Sequence, residues 1–484
     1  MILSKLLKGV TYTELTGCSD IEISALTYDS RSAAEGSCFF AVAGTVVDGH
    51  NFIAGAIERG AKVIICQHIP EEVRDKATFV VVEDSNIAMG LIASNFYGNP
   101  SRELKVVGVT GTNGKTTIAT LLYELVQSMG HKAGLISTVV YKVGAKEIES
   151  THTTPDAIRL NAMMREMVDE GCEYCFMECS SHAIVQQRIH GLHFTGALFT
   201  NITHEHLDYH KTFAEYIRAK KSLFDSLPKS AFALVNADDR NGEVMLQNTK
   251  ASRYTLSLQK MADFRAKVIE MMVEGMELRI DNKEVWVQFL GRFNAYNLLT
   301  VYGAALLLGF EKEDILAHLS MLRPVSGRFE TVLAKDGTTA IVDFAHTPDA
   351  LENIIKTIDE LRQAEQRLIV VCGCGGDRDK TKRPVMGGMA SKMADIAIFT
   401  SDNPRTEDPE QILREMEEGV ESGNKYLKIT DRHEAIKTAV MLAEPRDIIL
   451  LAGKGHEDYQ IIGSEKLPFN DKTIVKEYFT KFNR

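Results

Sequence analysis

The sequence predicts an α/β protein of three successive units, each an open, mostly parallel sheet with flanking helices. Three observations lead there. Short β-branched runs alternate with longer helical patterns, the signature of parallel strands joined by crossover helices. That alternation breaks off and restarts twice along the chain. Its 484 residues, at roughly 150 per domain, suggest about three cores. No short tandem repeat or low-complexity tract interrupts the order.

In the first unit, 1–104, the runs at 61–66 and 78–83 read as strands because β-branched residues crowd them, and 51–59 reads as a helix. Gly98-Asn-Pro100 then breaks the chain. The central unit, 105–325, opens on a strand at 104–109 and continues with strands at 174–178, 196–200 and 231–235, separated by helices that include 115–128 and 213–227. The third unit, 326–484, places strands at 339–343, 368–372, 395–399, 426–429 and 448–451 in a Rossmann-like arrangement.

Composition excludes several classes. At 44% hydrophobic and 25% charged residues the chain is neither disordered nor fibrous. Sixty-six acidic against fifty-five basic residues leave a net charge of −11 with no long basic run, so nucleic acid is not an expected partner. The longest apolar runs fall far short of the ~20 residues that cross a bilayer, so no membrane insertion is expected. Met1-Ile-Leu-Ser-Lys-Leu-Leu-Lys lacks an apolar export core with a cleavage site, which makes the cytoplasm the expected compartment. Eight cysteines include the pairs 172/175 and 372/374 without a second pair at zinc-ribbon spacing, and read as reduced core thiols.

The first chemical signal is the apolar strand that feeds Gly-Thr-Asn-Gly-Lys-Thr-Thr (111–117) and then a helix. Gly111 and Gly114 let backbone N–H groups approach an anion, Lys115 can reach terminal phosphates, and Thr116 can ligate Mg²⁺. The motif is P-loop-like: the strict pattern needs glycine where Val109 stands. Glu178, at the end of the strand 174–178, offers a carboxylate to the same metal. The segment 200–210 gathers His204, Glu205, His206, Asp208 and His210, yet lacks the H-E-x-x-H spacing of a zinc protease, and a solvated surface cluster remains the alternative. Periodicity makes 216–224 an amphipathic helix whose Lys220 and Lys221 read, on spacing alone, as its solvated face. A GTP switch is disfavoured because neither Asn282-Lys nor Asn424-Lys is followed by the required aspartate. A dinucleotide fold is disfavoured because the last glycine of its loop would fall on Arg378.

With these motifs the chain resembles the Mur ligase family. The resemblance rests on 111–117, Glu-Cys-Ser-Ser-His (178–182), His-Leu-Asp-Tyr-His (206–210) and Gly-Arg-Phe-Asn-Ala-Tyr-Asn (291–297). It continues through Ser-Gly-Arg-Phe-Glu (326–330), Val-Asp-Phe-Ala-His-Thr-Pro (342–348), Gly-Gly-Asp-Arg-Asp-Lys (375–380), Asp-Asn-Pro-Arg (402–405) and Gly-Lys-Gly-His-Glu (453–457), with Asp-Ser-Arg (29–31) in the first unit. It implies an ATP-dependent amide ligase that uses Mg²⁺. The implied reaction adds meso-2,6-diaminopimelate to the D-glutamate carboxylate of UDP-MurNAc-L-Ala-D-Glu, in a monomeric protein of peptidoglycan precursor synthesis. An L-lysine-adding member, a folylpolyglutamate-type ligase and a nonenzymatic nucleotide-binding scaffold are the alternatives.

The resemblance further implies residue roles. Gly111, Thr112, Asn113, Gly114, Lys115, Thr116 and Thr117 would cradle ATP, joined by Asn294, Arg328 and Asp343 from the domain junction. Thr116, Glu178, His206 and Lys220, the last as a carbamate, would surround the metals, with Lys115 in the catalytic group. Ser30 would meet the uridine end, and Thr153, Thr154, Ser180, Gln186 and Arg188 the muramyl-peptide portion. His206 or His346 is conceivable as a base for the incoming amine, and the sequence does not identify one. Cys179 and Phe344 replace the valine and tyrosine often found in relatives, and both fit packing.

The acceptor pocket turns on Arg405, just past the carboxyl end of the strand 395–399, where open α/β sheets bind ligands. An arginine fork grips the extra distal carboxylate of diaminopimelate, whereas lysine would present it with another cation. The resemblance adds Arg378, Asp402, Asn403, Gly453 and Glu457 to this pocket. The alternative is that Asp402-Asn-Pro is an ordinary turn with Arg405 in solvent.

Overall fold

The structure, a computed structural model, describes residues 1–44, 47–203, 207–272 and 275–484. Residues 14–81 form a five-stranded sheet in the order Glu14–Thr16, Thr78–Val81, Val63–Cys66, Ser37–Phe40, Ala25–Thr27, parallel except for the first strand. The central sheet has a parallel middle running Ser252–Ser257, Phe232–Asn236, Gly196–Phe199, Lys105–Thr110, Tyr174–Glu178, Ala133–Ile136. In the third sheet Glu330–Leu333 is antiparallel to Thr339–Asp343, and Ile448–Ala452, Leu368–Cys372, Ile396–Phe399 and Tyr426–Lys428 follow in parallel.

Burial on both faces explains the near-continuous apolar runs of these strands. In Lys105–Thr110 successive side chains alternate, so Val107 and Val109 pack with the helices Lys115–Ser128 and Arg292–Leu307, while Val106 packs on the other side with Ala157–Asp169 and Phe213–Asp225. The third sheet repeats the plan: Val370 and Cys372 face the helices Pro348–Leu361 and Lys382–Met393, and Ile369 and Val371 face Arg432–Leu442 and Asp471–Lys481.

The structure adds what the sequence reading lacked. The central sheet is extended at both edges, antiparallel by Val140–Val143 and Lys146–Glu149 on one side, and on the other by Phe264–Met272, which joins in parallel, followed by Gly275–Ile280 and Lys283–Val287 in antiparallel. Alternating polar and apolar residues on these half-exposed strands hid them among longer runs. Asp281 and Asn282 carried the missed signal: both have positive φ, 45° and 66°, as the two-residue type I′ hairpin turn requires. The helix expected at 51–59 is shorter, a 3₁₀ turn at Gly49–Phe52 followed by Ile53–Glu58. All eight cysteines are free, and seven are buried. No helix among the described residues is long and apolar enough to cross a membrane.

Candidate active site

The strand Lys105–Thr110 ends in a tight loop that hands the chain to the helix Lys115–Ser128. Gly111 and Gly114 hold φ of 151° and 89°, and a Cβ on Gly114 would lie 2.6 Å from Asn297 Oδ1. A Cβ on Gly111 would overlap the Thr200 hydroxyl, so both positions require glycine. Lys115 Nζ donates to the carbonyls of Gly111 (3.0 Å) and Thr112 (2.7 Å). The Asn113 N–H donates to Asn201 Oδ1 at 2.9 Å, and Thr112 Oγ1 meets the Tyr216 hydroxyl at 3.1 Å. The positive end of the helix dipole opens here onto a cavity of about 840 Å³, whose wall includes 112–117.

Glu178, fully buried, reaches the same cavity from the neighbouring strand. Its Oε1 accepts the Thr138 N–H at 2.7 Å and its Oε2 the Thr138 hydroxyl at 3.2 Å, so the carboxylate is oriented by a residue the sequence reading did not single out. Lys220 is 1% exposed, its Nζ donates to Gly111 O at 2.7 Å, and it lies 4.5 Å from the centre of the Tyr216 ring. This corrects the solvated-face reading. The helix Phe213–Asp225 turns Tyr216, Ala219, Lys220 and Leu223 inward at helical spacing, while Lys221 pairs with Asp225 at 2.5 Å.

The donor set fits Mg²⁺. Among the described residues no group of three His, Cys, Asp or Glu gathers as a metal cage. The Thr116 hydroxyl and the Glu178 carboxylate share the cavity wall, and one or two protein oxygens beside a site for phosphates is how Mg²⁺ is usually held. His206 lies outside the described residues.

Thr153, Thr154, Ser180, Gln186 and Arg188 line one side of this cavity. Thr154 Oγ1 donates to Glu178 O at 2.7 Å and accepts the Ser180 N–H at 3.2 Å, which ties the three together. Arg188 donates to Thr154 O at 2.8 Å and to Gln186 Oε1. Ser30 does not line the cavity; it begins the 3₁₀ turn Ser30–Ser32, which follows the strand Ala25–Thr27.

The third unit closes the opposite side. Arg328 donates to Thr116 Oγ1 at 3.3 Å and stacks 4.8 Å from the centre of the Phe344 ring, and Asp349 Oδ2 accepts from Asn113 and Thr203. Burial pushes the Asp343 carboxyl up to about 6, against the pull of Arg328 and the Phe329 N–H. Asn294 is buried away from the cavity wall, where it donates to Leu290 O and accepts from Asn297, and it is Asn297 that lines the cavity.

Across Asp343 lies a second cluster. The Gly453 N–H donates to Asp343 O at 3.0 Å, and a Cβ on Gly453 would lie 2.5 Å from Asp402 Oδ2. Asn403 Nδ2 donates to Glu457 Oε2 at 2.8 Å. Arg405 donates to Gly376 O at 2.8 Å, and a Cβ on Gly375 would lie 3.0 Å from Arg405 Nη1 and 3.7 Å from Arg378 Cγ. These contacts link the six residues expected at the acceptor pocket into one chain of neighbours. Arg405 is tied to a neighbouring loop, which corrects the solvated-turn alternative.

His456 sits between the two clusters, its ring 5.0 Å from that of Phe344. Burial, with Arg328 and Lys454 nearby, lowers its pKa from 6.5 to about 4. A depressed histidine stabilises the fold fully above its unfolded pKa, and that contribution is lost as pH falls from 6.5 through about 4. Between pH 7 and about pH 4.5, wild type should therefore lose on the order of 2 kcal/mol more stability than His456→Gln in chemical denaturation. Equal losses would place the titration elsewhere.

Family models match three stretches of the chain: Mur ligase family, catalytic domain, over 22–97; Mur ligase middle domain over 109–305; and Mur ligase, glutamate ligase domain, over 327–455. The UDP-N-acetylmuramoyl-L-alanyl-D-glutamate--2,6-diaminopimelate ligase of Cytophaga hutchinsonii is 52% identical over 480 residues, 99% of each chain. The chain belongs to the Mur ligase family. The protein of the same name from Phocaeicola vulgatus is 52% identical over 481 residues, again 99% of each chain. A solved structure carrying that name superposes with a TM-score of 0.72 at 30% identity, covering 100% of this chain and 99% of the other. MurF from Acinetobacter baumannii shares the fold, with a TM-score of 0.65 at 18% identity over 99% of this chain and 98% of its own.

Proposed function

We propose that this Mur ligase adds meso-2,6-diaminopimelate to the D-glutamate carboxylate of UDP-MurNAc-L-Ala-D-Glu, at the expense of ATP. The observation that carries the reading is the single cavity in which the Lys115 loop, Glu178, the 153–154 and 180–188 residues, and Arg328 with Asp343 meet, with the Arg405 cluster just across Asp343. In this reading 1–104 takes the UDP end, 105–325 ATP, and 326–484 the amino acid.

At neutral pH a carboxylate and an ammonium do not condense. Transfer of the terminal phosphoryl breaks its bond to ADP and forms an acyl phosphate. The amine then attacks the acyl carbon, and phosphate leaves with the C–O bond electrons. Lys115 and the helix N-terminus offset charge where the two anions meet. Mg²⁺, held by Thr116, Glu178 and a carbamylated Lys220, would add charge neutralisation there. Thr154, Arg188 and Gln186 hold the dipeptide end, and Arg328 ties the third unit to the phosphate loop. His206 or His346, the latter on the cavity wall, would receive the amine's proton.

The acceptor follows from Arg405. Arg405→Ala should raise KM for meso-diaminopimelate by the equivalent of about 2–4 kcal/mol while KM for ATP stays near wild type, as steady-state kinetics would show. Wild type that ligates L-lysine as efficiently as meso-diaminopimelate would overturn this assignment.

A further inference from the structure

Lys454 is fully buried, which is rare for lysine unless the ammonium is paired. Its Nζ donates to Asn403 Oδ1 at 3.1 Å and to Glu457 Oε2 at 3.0 Å, and it lies 5.7 Å from the centre of the Tyr459 ring. Asn403 Nδ2 donates to the same Glu457 oxygen, which closes a three-membered ring of side chains. The Ile461 N–H also donates to Asn403 Oδ1, at 2.9 Å. Two donors on Oδ1 decide the amide's orientation, because its NH₂ group must then face Glu457. Glu457 Oε2 is thereby taken twice, and Oε1 has no donor among the described residues.

We propose that Lys454 is a positioning residue that sets the acceptor preference, by locking Asn403 and Glu457 together and by balancing the Glu457 charge. The proposal rests on the diaminopimelate reading above. Of the charged side chains expected in the pocket, with Lys454 added, Arg378, Arg405 and Lys454 stand against Asp402 and Glu457, three positive to two negative. The far end of diaminopimelate is a zwitterion and meets no net penalty there, and its ammonium can use Glu457 Oε1. The far end of L-lysine is a bare cation and is repelled. Without Lys454 the cluster is neutral, Glu457 attracts any ammonium, and the discrimination weakens.

Lys454→Met in the full-length protein keeps the stem and removes the charge. With ATP and UDP-MurNAc-L-Ala-D-Glu saturating, the ratio of kcat/KM for meso-diaminopimelate over L-lysine should fall by at least about tenfold, through KM, while KM for ATP stays within about twofold. A lysine that only supports the fold would lower both acceptors alike, so an unchanged ratio overturns the proposal. If the single variant does not accumulate folded, Lys454→Met/Glu457→Gln removes both members of the buried pair and restores the net charge of the cluster. That variant should bind meso-diaminopimelate more weakly yet still reject lysine; acceptance of lysine overturns the proposal. Wild type that prefers lysine in the same assay would instead sink the acceptor reading itself, whatever the variants do.

Discussion

Lys115→Ala is expected to abolish ligation, lowering kcat at least about a thousandfold, while the melting temperature stays within about 2 °C of wild type. The lysine sits at a helix N-terminus, where its charge opposes the dipole, it is only partly buried, and its bonds to the Gly111 and Thr112 carbonyls lie within its own loop. Its removal thus costs the fold little. The transfer of a phosphoryl group between two anions loses a fixed positive charge at the point where negative charge crowds. Product mass and ADP release report the effect. A variant that keeps more than about a tenth of the wild-type rate would detach this loop from the chemistry.

Lys220→Ala should be comparably inactive, by about a thousandfold, and a small carboxylate such as acetate or formate should restore part of the rate. A lysine amine that adds CO₂ and sheds a proton becomes a carbamate anion, a hard oxygen donor suited to Mg²⁺. Lys220 is buried beside the Gly111 carbonyl, on the wall it shares with Thr116 and Glu178, where an added carboxylate could take its place. Lys221 is the internal control. Its side chain is only 12% exposed, but it pairs with Asp225 four residues on and stays off the cavity wall, so Lys221→Ala should leave the rate intact. Equal losses in both variants without rescue would make Lys220 a structural residue.

The strands 174–178, 339–343 and 368–372 were legible to the residue, because short apolar runs rich in β-branched or aromatic residues and bounded by turn residues favour strands. The antiparallel flanks were not, since strands exposed on one face carry a weaker pattern, and their signals were the tight turns at Gly144 and at Asp281-Asn282. The phosphate loop, Glu178 and the Arg405 motif were readable because a few residue types at fixed spacing are what their chemistry demands. Three features needed the fold. Whether Lys220 is buried depends on which helix face meets the sheet. Thr138 bonds Glu178 from 40 residues away. Lys454 stood inside a quoted motif, but its partner Asn403 is 51 residues distant, and spacing carries no sign of the ring they form.

The central claim is that one cavity activates a carboxylate with ATP and that the adjoining cluster chooses the amine. The most direct measurement gives the purified protein ATP, Mg²⁺ and UDP-MurNAc-L-Ala-D-Glu with each of a panel of amino acids in turn, and reads product mass together with ADP release. The account predicts one strong product, the mass of the nucleotide dipeptide plus meso-diaminopimelate minus water, with one ADP formed per product. A lysine product of equal yield would contradict the acceptor assignment, and no ADP release with any amino acid would contradict the ligase itself.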